Sequence, residues 1–159
     1  MEDDCFIPPF SKNISVKTRK GKYLGEGIGF ENLYNGKERN LVGETNQWNG
    51  SVLAIEWPKT VHIDKLRIVL DSELERTEKN MPFYYDIDMY DRKMPNRLLK
   101  HCTISVKKND TWTAIHQIKD NHQRLMYLDI SDDIEGIKIE NIITWGGIEV
   151  CNIFSFEAY

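Results

Sequence analysis

The sequence lacks concentrated positive charge and long apolar runs. Lysine and arginine together number 21, against 25 aspartates and glutamates, and the net charge is −4. The densest basic stretch is the short VKTRKGK at 16–22. Nucleic acids and anionic membranes select a concentrated basic face, so we expect neither as a partner. No apolar run approaches the length of a membrane span.

The beginning of the chain lacks the features of a signal peptide. The segment MEDDCFIPPF is acidic where a signal peptide is basic, and it has no long apolar stretch. We therefore favour the cytoplasm, unless the chain is excised from a longer secreted protein. Residues 1–12 are expected to be a lead-in segment and 13–159 a single domain, since no linker or internal repeat interrupts them.

Motifs of catalysis are also lacking. No GxSxG segment places a nucleophile, and the four histidines are not at the spacing of metal ligands. GEGIG at 25–29 lacks the strand and helix that flank a dinucleotide-binding loop, so it is expected to be a turn. We expect a protein that is not an enzyme.

The three cysteines, Cys5, Cys102 and Cys151, form no CxxC pair. Cys102 in HCTISV and Cys151 in EVCNIF lie in strand-like segments, where a free thiol behaves as a small apolar side chain. Buried free thiols are the favoured interpretation, and a disulfide between them remains open because sequence does not determine pairing.

Apolar and polar residues alternate through most of the chain. The apolar faces of VLAIEW, KLRIVL, HCTISV and IFSFEA each follow a period of two, which is typical of antiparallel strands wetted on one side. Turn segments such as WPKT at 57–60 and KKND at 107–110 separate them. No helical stripe is sustained, although 31–36 and 71–80 are each suited to a turn or two of helix. The pattern predicts an all-β sandwich or barrel.

In their order, these segments resemble the galactose-binding-like (discoidin, or coagulation-factor type C) superfamily. The similarity lies in ENLYNGKERNLVGETNQW, then SVLAIEWPKTVHIDKLRIVLDSEL, then ISVKKNDTWTAI and the closing IFSFEAY. The resemblance implies an antiparallel jelly-roll β-sandwich of about eight strands.

A narrower similarity involves VLDSELER, MPNRLLKHCTISV and DTWTAIHQIKDNHQRL. Together these resemble C-terminal accessory domains of bacterial FAD-dependent oxidoreductases. In the superfamily, ligands usually bind to loops at one end of the sandwich, and many members bind sugars. We therefore expect a non-catalytic carbohydrate-binding module. The alternative is a docking module for an enzyme domain, such as a flavoprotein, or for another protein.

Two polar clusters at strand ends supply the candidate ligand-binding residues. Asp71 and Arg76 lie in DSELER, and Asn121, His122 and Arg124 lie in DNHQR. If both loops share one rim, carboxylates, amides and guanidinium groups converge there, as recognition of sugar hydroxyls requires. The alternative is an arginine–carboxylate network that ties the loops together, for example Arg124 or Arg76 with Asp71.

The four tryptophans divide between core and loop. Trp48, Trp57 and Trp112 lie where strand packing uses an indole, so we expect them in the core. Trp145 precedes two glycines in TWGG, which places it near a loop tip. A flat indole there is suited to stack on a pyranose, although packing across loops explains it equally well.

Members of the superfamily frequently hold a calcium ion near the entry turn and the closing strand. Here Asn35 replaces the usual turn aspartate, and Ser155 stands where the closing strand usually has a carboxylate, with Glu157 two positions later. Both changes remove charge that calcium requires. We expect no cofactor, and a calcium site near Asn35 that is weak at most.

Overall fold

Strands make up most of the chain in the computed structural model, which describes residues 13–40, 43–73 and 94–159. Their bounds are β1 Lys22–Ile28, β2 Trp48–Leu70, β3 Leu99–Lys108, β4 Thr111–Ile118, β5 Leu125–Thr144 and β6 Cys151–Ala158. A short helix α1, Val16–Lys20, precedes them, and a 3-10 helix, Phe30–Tyr34, follows β1. Arg76 lies outside the described residues.

Two long strands change partners midway and so build both layers of the sandwich. The first part of β2 lies between β1 and the second part of β5, as in the pairs Ile55–Tyr23 and Ile55–Ile137. The second part of β2 lies between β6 and the first part of β5. The second part of β5 continues through β3 to the edge strand β4. Counting β2 and β5 twice gives eight strands among the described residues, and the resemblance implied about eight.

VLAIEW and KLRIVL are joined in β2, although the sequence predicted a turn at WPKT between them. The β2–β5 register shifts between Glu56 and Val61, at the position of that segment. A local irregularity of this kind bends a strand so that it can pass from one layer to the other. WPKT is therefore a bend within one strand.

The alternating pattern gives the core as expected. Leu53, Ile55, Leu66, Ile68 and Leu70 are fully buried. They pack in one cluster with apolar side chains of β3, β5 and β6. Burial of this apolar area is the main force that holds the layers together.

The tryptophan prediction is confirmed at two positions and wrong at one. Trp48 and Trp57 are buried in the core cluster. Trp112 is only half-buried and lies opposite Lys107, on the outer face of β4. The Lys138 Nζ lies 4.7 Å from the centre of its ring. Alternation along β3 places Val106 inward and Lys107 outward. Trp112 pairs with Lys107 across the strands and therefore also points outward.

Turn prediction succeeds at KKND and fails at GEGIG. Asn109 and Asp110 both have positive φ, 47° and 59°, as the two central residues of a type I′ hairpin require. GEGIG instead lies mostly in β1. A Cβ on Gly25 would lie 2.0 Å from the Val52 carbonyl oxygen, so glycine permits a close approach of β1 to β2.

The helices are short. Helix α1 was not predicted, because five residues are too few to show a helical period; the Ser15 side chain caps it by accepting from the Thr18 N–H. The turn of helix predicted at 31–36 is confirmed by the 3-10 helix. Of the predicted helix at 71–80, only 71–73 are described, and they are not helical. No helix among the described residues combines the length and apolarity that a membrane crossing requires.

Cys102 and Cys151 are buried free thiols, as predicted. Burial raises the pKa of Cys102 to about 12. Burial also raises the pKa of Cys151, with a smaller contribution from the neighbouring Cys102. Both thiols are therefore protonated at neutral pH. Cys5 lies outside the described residues.

Candidate functional site

Four chain segments meet at one end of the sandwich, and we call this end the rim: residues 71–73, 94–101, 119–124 and 144–150. Backbone hydrogen bonds join them. The Leu70 N–H donates to the Arg124 carbonyl at 2.8 Å, the Asn121 N–H to the Lys100 carbonyl at 3.0 Å, and the Trp145 N–H to the Leu98 carbonyl at 3.0 Å. The described beginning of DSELER, residues 71–73, and the DNHQR loop therefore lie at one rim, as the sequence-based hypothesis required; 74–76 lie outside the described residues.

Asp71 lies beneath the rim surface and is 1% exposed. Its carboxylate accepts from the Asn152 Nδ2 and from the Glu73 N–H, each at 2.8 Å. The Arg97 Nε lies 3.3 Å from the same carboxylate. Asp71 is thus part of an arginine–carboxylate network, and within the described residues its arginine is Arg97 rather than Arg124.

Asn121 is also buried, and its side chain holds the rim together. Its Nδ2 donates to the carbonyls of Leu99, at 2.9 Å, and Gln123, at 3.0 Å. Its Oδ1 accepts from the Gln123 N–H at 3.1 Å. These bonds fold the 119–124 loop against the start of β3.

The Arg124 side chain extends from the rim toward the loop that contains Glu38. It is 8% exposed. Its guanidinium donates to the Glu38 carbonyl and lies 5.6 Å from the centre of the Phe154 ring. Its described contacts join the rim to the neighbouring loop.

His122 and Asp120, by contrast, are exposed at the rim. The Asp120 N–H donates to the His101 Nδ1 at 3.2 Å. The Asp120 carboxylate is 70% exposed and lies 3.7 Å from the Lys100 Nζ. The His122 Nδ1 lies 3.0 Å from the Asp120 carbonyl. A positive φ of 49° at Asp120 turns the backbone so that these groups face solvent together.

Trp145 lies in the turn that follows β5, at the edge of this group. Its Nε1 donates to the Asn121 carbonyl at 2.6 Å, and the ring is half-buried against the core. The Lys100 Nζ lies 4.6 Å from the ring centre, as a cation–π pair does. Ile148 and Val150, between this turn and β6, are 51% and 39% exposed.

The rim patch is the name we give to Lys100, His101, Asp120, His122 and Trp145. It combines an indole, an ammonium group, an exposed carboxylate and two imidazoles within one connected surface. Lys100 and His101 were not predicted as site residues. They precede the buried Cys102 in LLKHCTISV, and tertiary hydrogen bonds bring them to the DNHQR loop, from the Asn121 N–H to the Lys100 carbonyl and from the Asp120 N–H to the His101 Nδ1.

Metal chemistry finds no support in the described part of the chain. There, no three residues among His, Cys, Asp and Glu are grouped as metal ligands. Near Asn35, the Asn35 Oδ1 accepts from the Lys37 N–H at 2.7 Å. This amide oxygen, near the calcium position that the resemblance suggests, is engaged by a hydrogen bond within the protein.

Comparison with known proteins identifies the fold. The sequence matches no family model and no curated protein. Solved structures do match. One is a family 32 carbohydrate-binding module of C. perfringens NanJ in complex with galactose, with 14% identity, 89% of this chain and 94% of that chain covered, and a TM-score of 0.57.

Two further structures are similar over comparable lengths. A family 32 module of a family 31 glycoside hydrolase, bound to GalNAc, has 10% identity, covers 87% of this chain and 96% of its own, and gives a TM-score of 0.63. A fucose-binding module from Streptococcus pneumoniae has 14% identity, coverages of 87% and 93%, and a TM-score of 0.57. The chain therefore has the β-sandwich fold of the family 32 carbohydrate-binding modules, as its resemblance to the galactose-binding-like superfamily predicted.

Proposed function

We propose that this protein is a non-catalytic carbohydrate-binding module and that the rim patch contacts the sugar. The single observation that carries the proposal is the rim patch itself, placed on loops at one end of this fold. The structural neighbours described above hold galactose or GalNAc or are described as binding fucose, which supports a small sugar as the ligand.

The chemistry of the patch suits a sugar. A pyranose presents hydroxyl groups that both donate and accept hydrogen bonds, together with patches of apolar C–H surface. The Asp120 carboxylate accepts, the Lys100 ammonium donates, and His122 does either according to its tautomer. Trp145 contributes apolar area through the part of its ring that remains exposed.

The predicted ligand residues take two roles in this proposal. His122 and Trp145 belong to the contact surface, whereas Asn121, Arg124 and Asp71 position the loops that carry it. Lys100 and Asp120 join the contact surface. Because Lys100 lies over the Trp145 ring, a sugar approaches the ring edge or displaces the ammonium group.

Binding should be modest. The patch is a shallow surface, so few ligand atoms become buried, and we expect dissociation constants from roughly 100 µM to a few millimolar. Glycan-array screening of the purified protein, followed by titration calorimetry with galactose, GalNAc and fucose, measures this directly.

Variants of exposed side chains test the location. We expect Asp120→Asn and His122→Ala each to weaken binding by about tenfold or more, which corresponds to the loss of a hydrogen bond to a sugar hydroxyl. Asparagine retains the tolerance for positive φ at position 120. The matched control is His62→Ala, which removes an exposed histidine from β2, away from the rim. Equal affinities in all these proteins would contradict the rim assignment.

A docking module is the second candidate, and the exposed Ile148 and Val150 favour it. A partner protein would bury these side chains, whereas a small sugar would not require them. Silence of the folded protein across a broad glycan array would support docking and contradict carbohydrate binding.

A further inference from the structure

We infer that a guanidinium group, that of Arg67, takes the place of a calcium ion in fixing the Asn35 loop to the closing strand. The Asn35 loop denotes residues 35–40 and 43–47, and the closing strand is β6. The superfamily frequently uses calcium in this region, so a protein cation at the same position makes stability independent of metal. This inference needs no sugar and goes beyond the proposed function.

Arg67 lies between the loop and the closing strand. It is 8% exposed. Its Nη1 and Nη2 donate to the two carboxylate oxygens of Glu38 at 2.6 and 2.9 Å. The same Nη1 lies 3.3 Å from the Ser155 Oγ and 3.5 Å from the Glu157 Oε1. One cation is therefore surrounded by oxygens from both parts of the chain.

Ser155 is essential to this arrangement. A carboxylate at this position would add a second negative charge beside Glu157, which is fully buried. Serine instead donates its hydroxyl to the Glu157 Oε1 at 2.8 Å. The other carboxylate oxygen of Glu157 accepts from the Ser15 N–H and the Tyr159 hydroxyl, each at 3.0 Å. The buried charge is satisfied by protein donors.

Three further oxygens among the described residues of the Asn35 loop are engaged by the protein. The Glu38 carbonyl accepts from Arg124, and the Arg39 carbonyl accepts from the Asn46 Nδ2 at 3.2 Å. The Lys37 Nζ binds the Glu44 carboxylate at 2.7 Å, and this bond lowers the pKa of Glu44. Calcium requires six to eight oxygen ligands, and here N–H groups hold the oxygens that would serve.

Electrostatics supports a permanently charged guanidinium. Burial alone lowers the pKa of Arg67, but the hydrogen bonds and charge of Glu38 outweigh burial and raise it overall. A guanidinium matches a carboxylate with two parallel hydrogen bonds and carries less tightly held water than a small ion. We call the cluster of Arg67, Glu38, Ser155 and Glu157 the clamp. It forms when the chain folds and needs no metal ion.

The first test is metal dependence of the wild-type protein. We expect the same Tm, within about 1 °C, after dialysis against EDTA and after addition of calcium at about 5 mM, above the roughly millimolar dissociation constants of weak calcium modules. Elemental analysis after gel filtration should find calcium far below one ion per chain. A Tm that falls in EDTA and recovers with calcium would overturn the inference.

The second test removes the clamp. Arg67→Met removes the guanidinium that pairs with Glu38 and Glu157, and we expect the Tm to fall by about 10 °C. Arg67→Lys keeps the charge but loses the bidentate geometry, so we expect its Tm to fall by about half as much. The matched control is Arg19→Met, at an exposed position of α1, for which we expect no more than about 2 °C.

Glu38→Gln is a milder variant in case Arg67→Met fails to fold. It keeps the shape of the partner and removes its charge, and we expect a Tm decrease of about 5 °C. If Glu38→Gln and Arg67→Lys both have the same Tm as the control Arg19→Met, Arg67 does not fix the Asn35 loop. Losses in both, with no response to EDTA, support the clamp.

Discussion

Two aspartates of the rim have opposite roles, although each lies in a polar stretch of sequence. Asp71 is buried and accepts hydrogen bonds from Asn152 and Glu73. Asp120 is 70% exposed in its side chain, beside Lys100. Burial therefore separates Asp71, which holds the loops, from Asp120, which we propose as a ligand contact.

Asp71→Asn is predicted to lower stability while leaving sugar affinity unchanged. Asparagine lacks the negative charge that pairs with Arg97. Its NH2 group also replaces one of the two oxygens that accept from the Asn152 Nδ2 and the Glu73 N–H, so that two donors face each other. Because Arg97 is 38% exposed in its side chain, water screens part of the pairing, and we expect a loss of about 2 kcal/mol in the free energy of unfolding. Urea denaturation measures this loss.

Asp120→Asn is the matched control for Asp71→Asn. Its unfolding free energy should change by no more than about 0.5 kcal/mol, as is usual for an exposed substitution, while its sugar affinity falls. Both variants are assayed well below their melting temperatures. Reduced affinity in folded Asp71→Asn, with unaltered stability, would move Asp71 into the contact surface.

The sequence identifies the polar residues of DNHQR, but it does not rank them by exposure and does not identify Lys100 or His101. DNHQR gives Asn121, His122 and Arg124 the same context. In the structure, Asn121 turns inward because the Leu99 and Gln123 carbonyls accept from it, and Arg124 reaches Glu38. Those partners are distant along the chain or depend on the loop conformation, so alternation alone cannot identify them.

At the scale of elements, the pairing of β1 with β2 depends on glycines that face each other. Gly27 lies opposite Gly50 at the point where the register shifts. A Cβ on Gly50 would lie 2.1 Å from the Glu26 carbonyl oxygen and 2.4 Å from the Trp48 Cζ2. These distances are far below van der Waals contact, and the first involves backbone that has little room to move.

Gly50→Ala is therefore predicted to weaken the β1–β2 pairing. We expect a loss of about 2–3 kcal/mol in the free energy of unfolding, the usual cost of overpacking a filled site. Chemical denaturation measures it, and hydrogen exchange should show faster exchange in β1. Ser51→Ala is the control, because it removes only an exposed hydrogen bond to Glu26. Equal stability of the two variants would show that β1 and β2 accommodate the added methyl group at no energetic cost.

Most elements could be predicted from the period of two, and the two failures have separate causes. Strands without glycine, such as β3, show the alternation of apolar and polar side chains clearly. Strand β1 is interrupted by Gly25 and Gly27, which contribute no side chain to the pattern. The continuity of β2 through WPKT also escapes the pattern, because a bend and a turn have the same local composition.

At the scale of the whole molecule, the beginning and end of the described chain are tied together. The Ser15 hydroxyl and the Thr18 Oγ1 both donate to the Ala158 carbonyl. The Tyr23 hydroxyl donates to the Phe156 carbonyl at 2.7 Å. These bonds join residues more than 130 positions apart, so they form only when both layers of the sandwich are assembled.

Tyr23 makes this closure sensitive to alkaline pH. Burial raises its pKa well above 10, and the negative charge of Glu157 raises it further. The unfolded chain releases this proton near pH 10, whereas the folded protein retains it. The contribution of Tyr23 to stability is therefore complete below about pH 10 and declines above it, by up to about 1.4 kcal/mol per pH unit.

Tyr23→Phe should lose about 1–2 kcal/mol at pH 7, because the Phe156 carbonyl loses a buried donor. Since phenylalanine releases no proton, the gap between wild type and variant should narrow between pH 10 and pH 11. Urea denaturation at pH 7, 10 and 11 measures the gap. A constant gap for Tyr23→Phe would mean that the buried phenol ionises as readily in the folded protein as in the unfolded chain, and closure of the sandwich would then not depend on its proton.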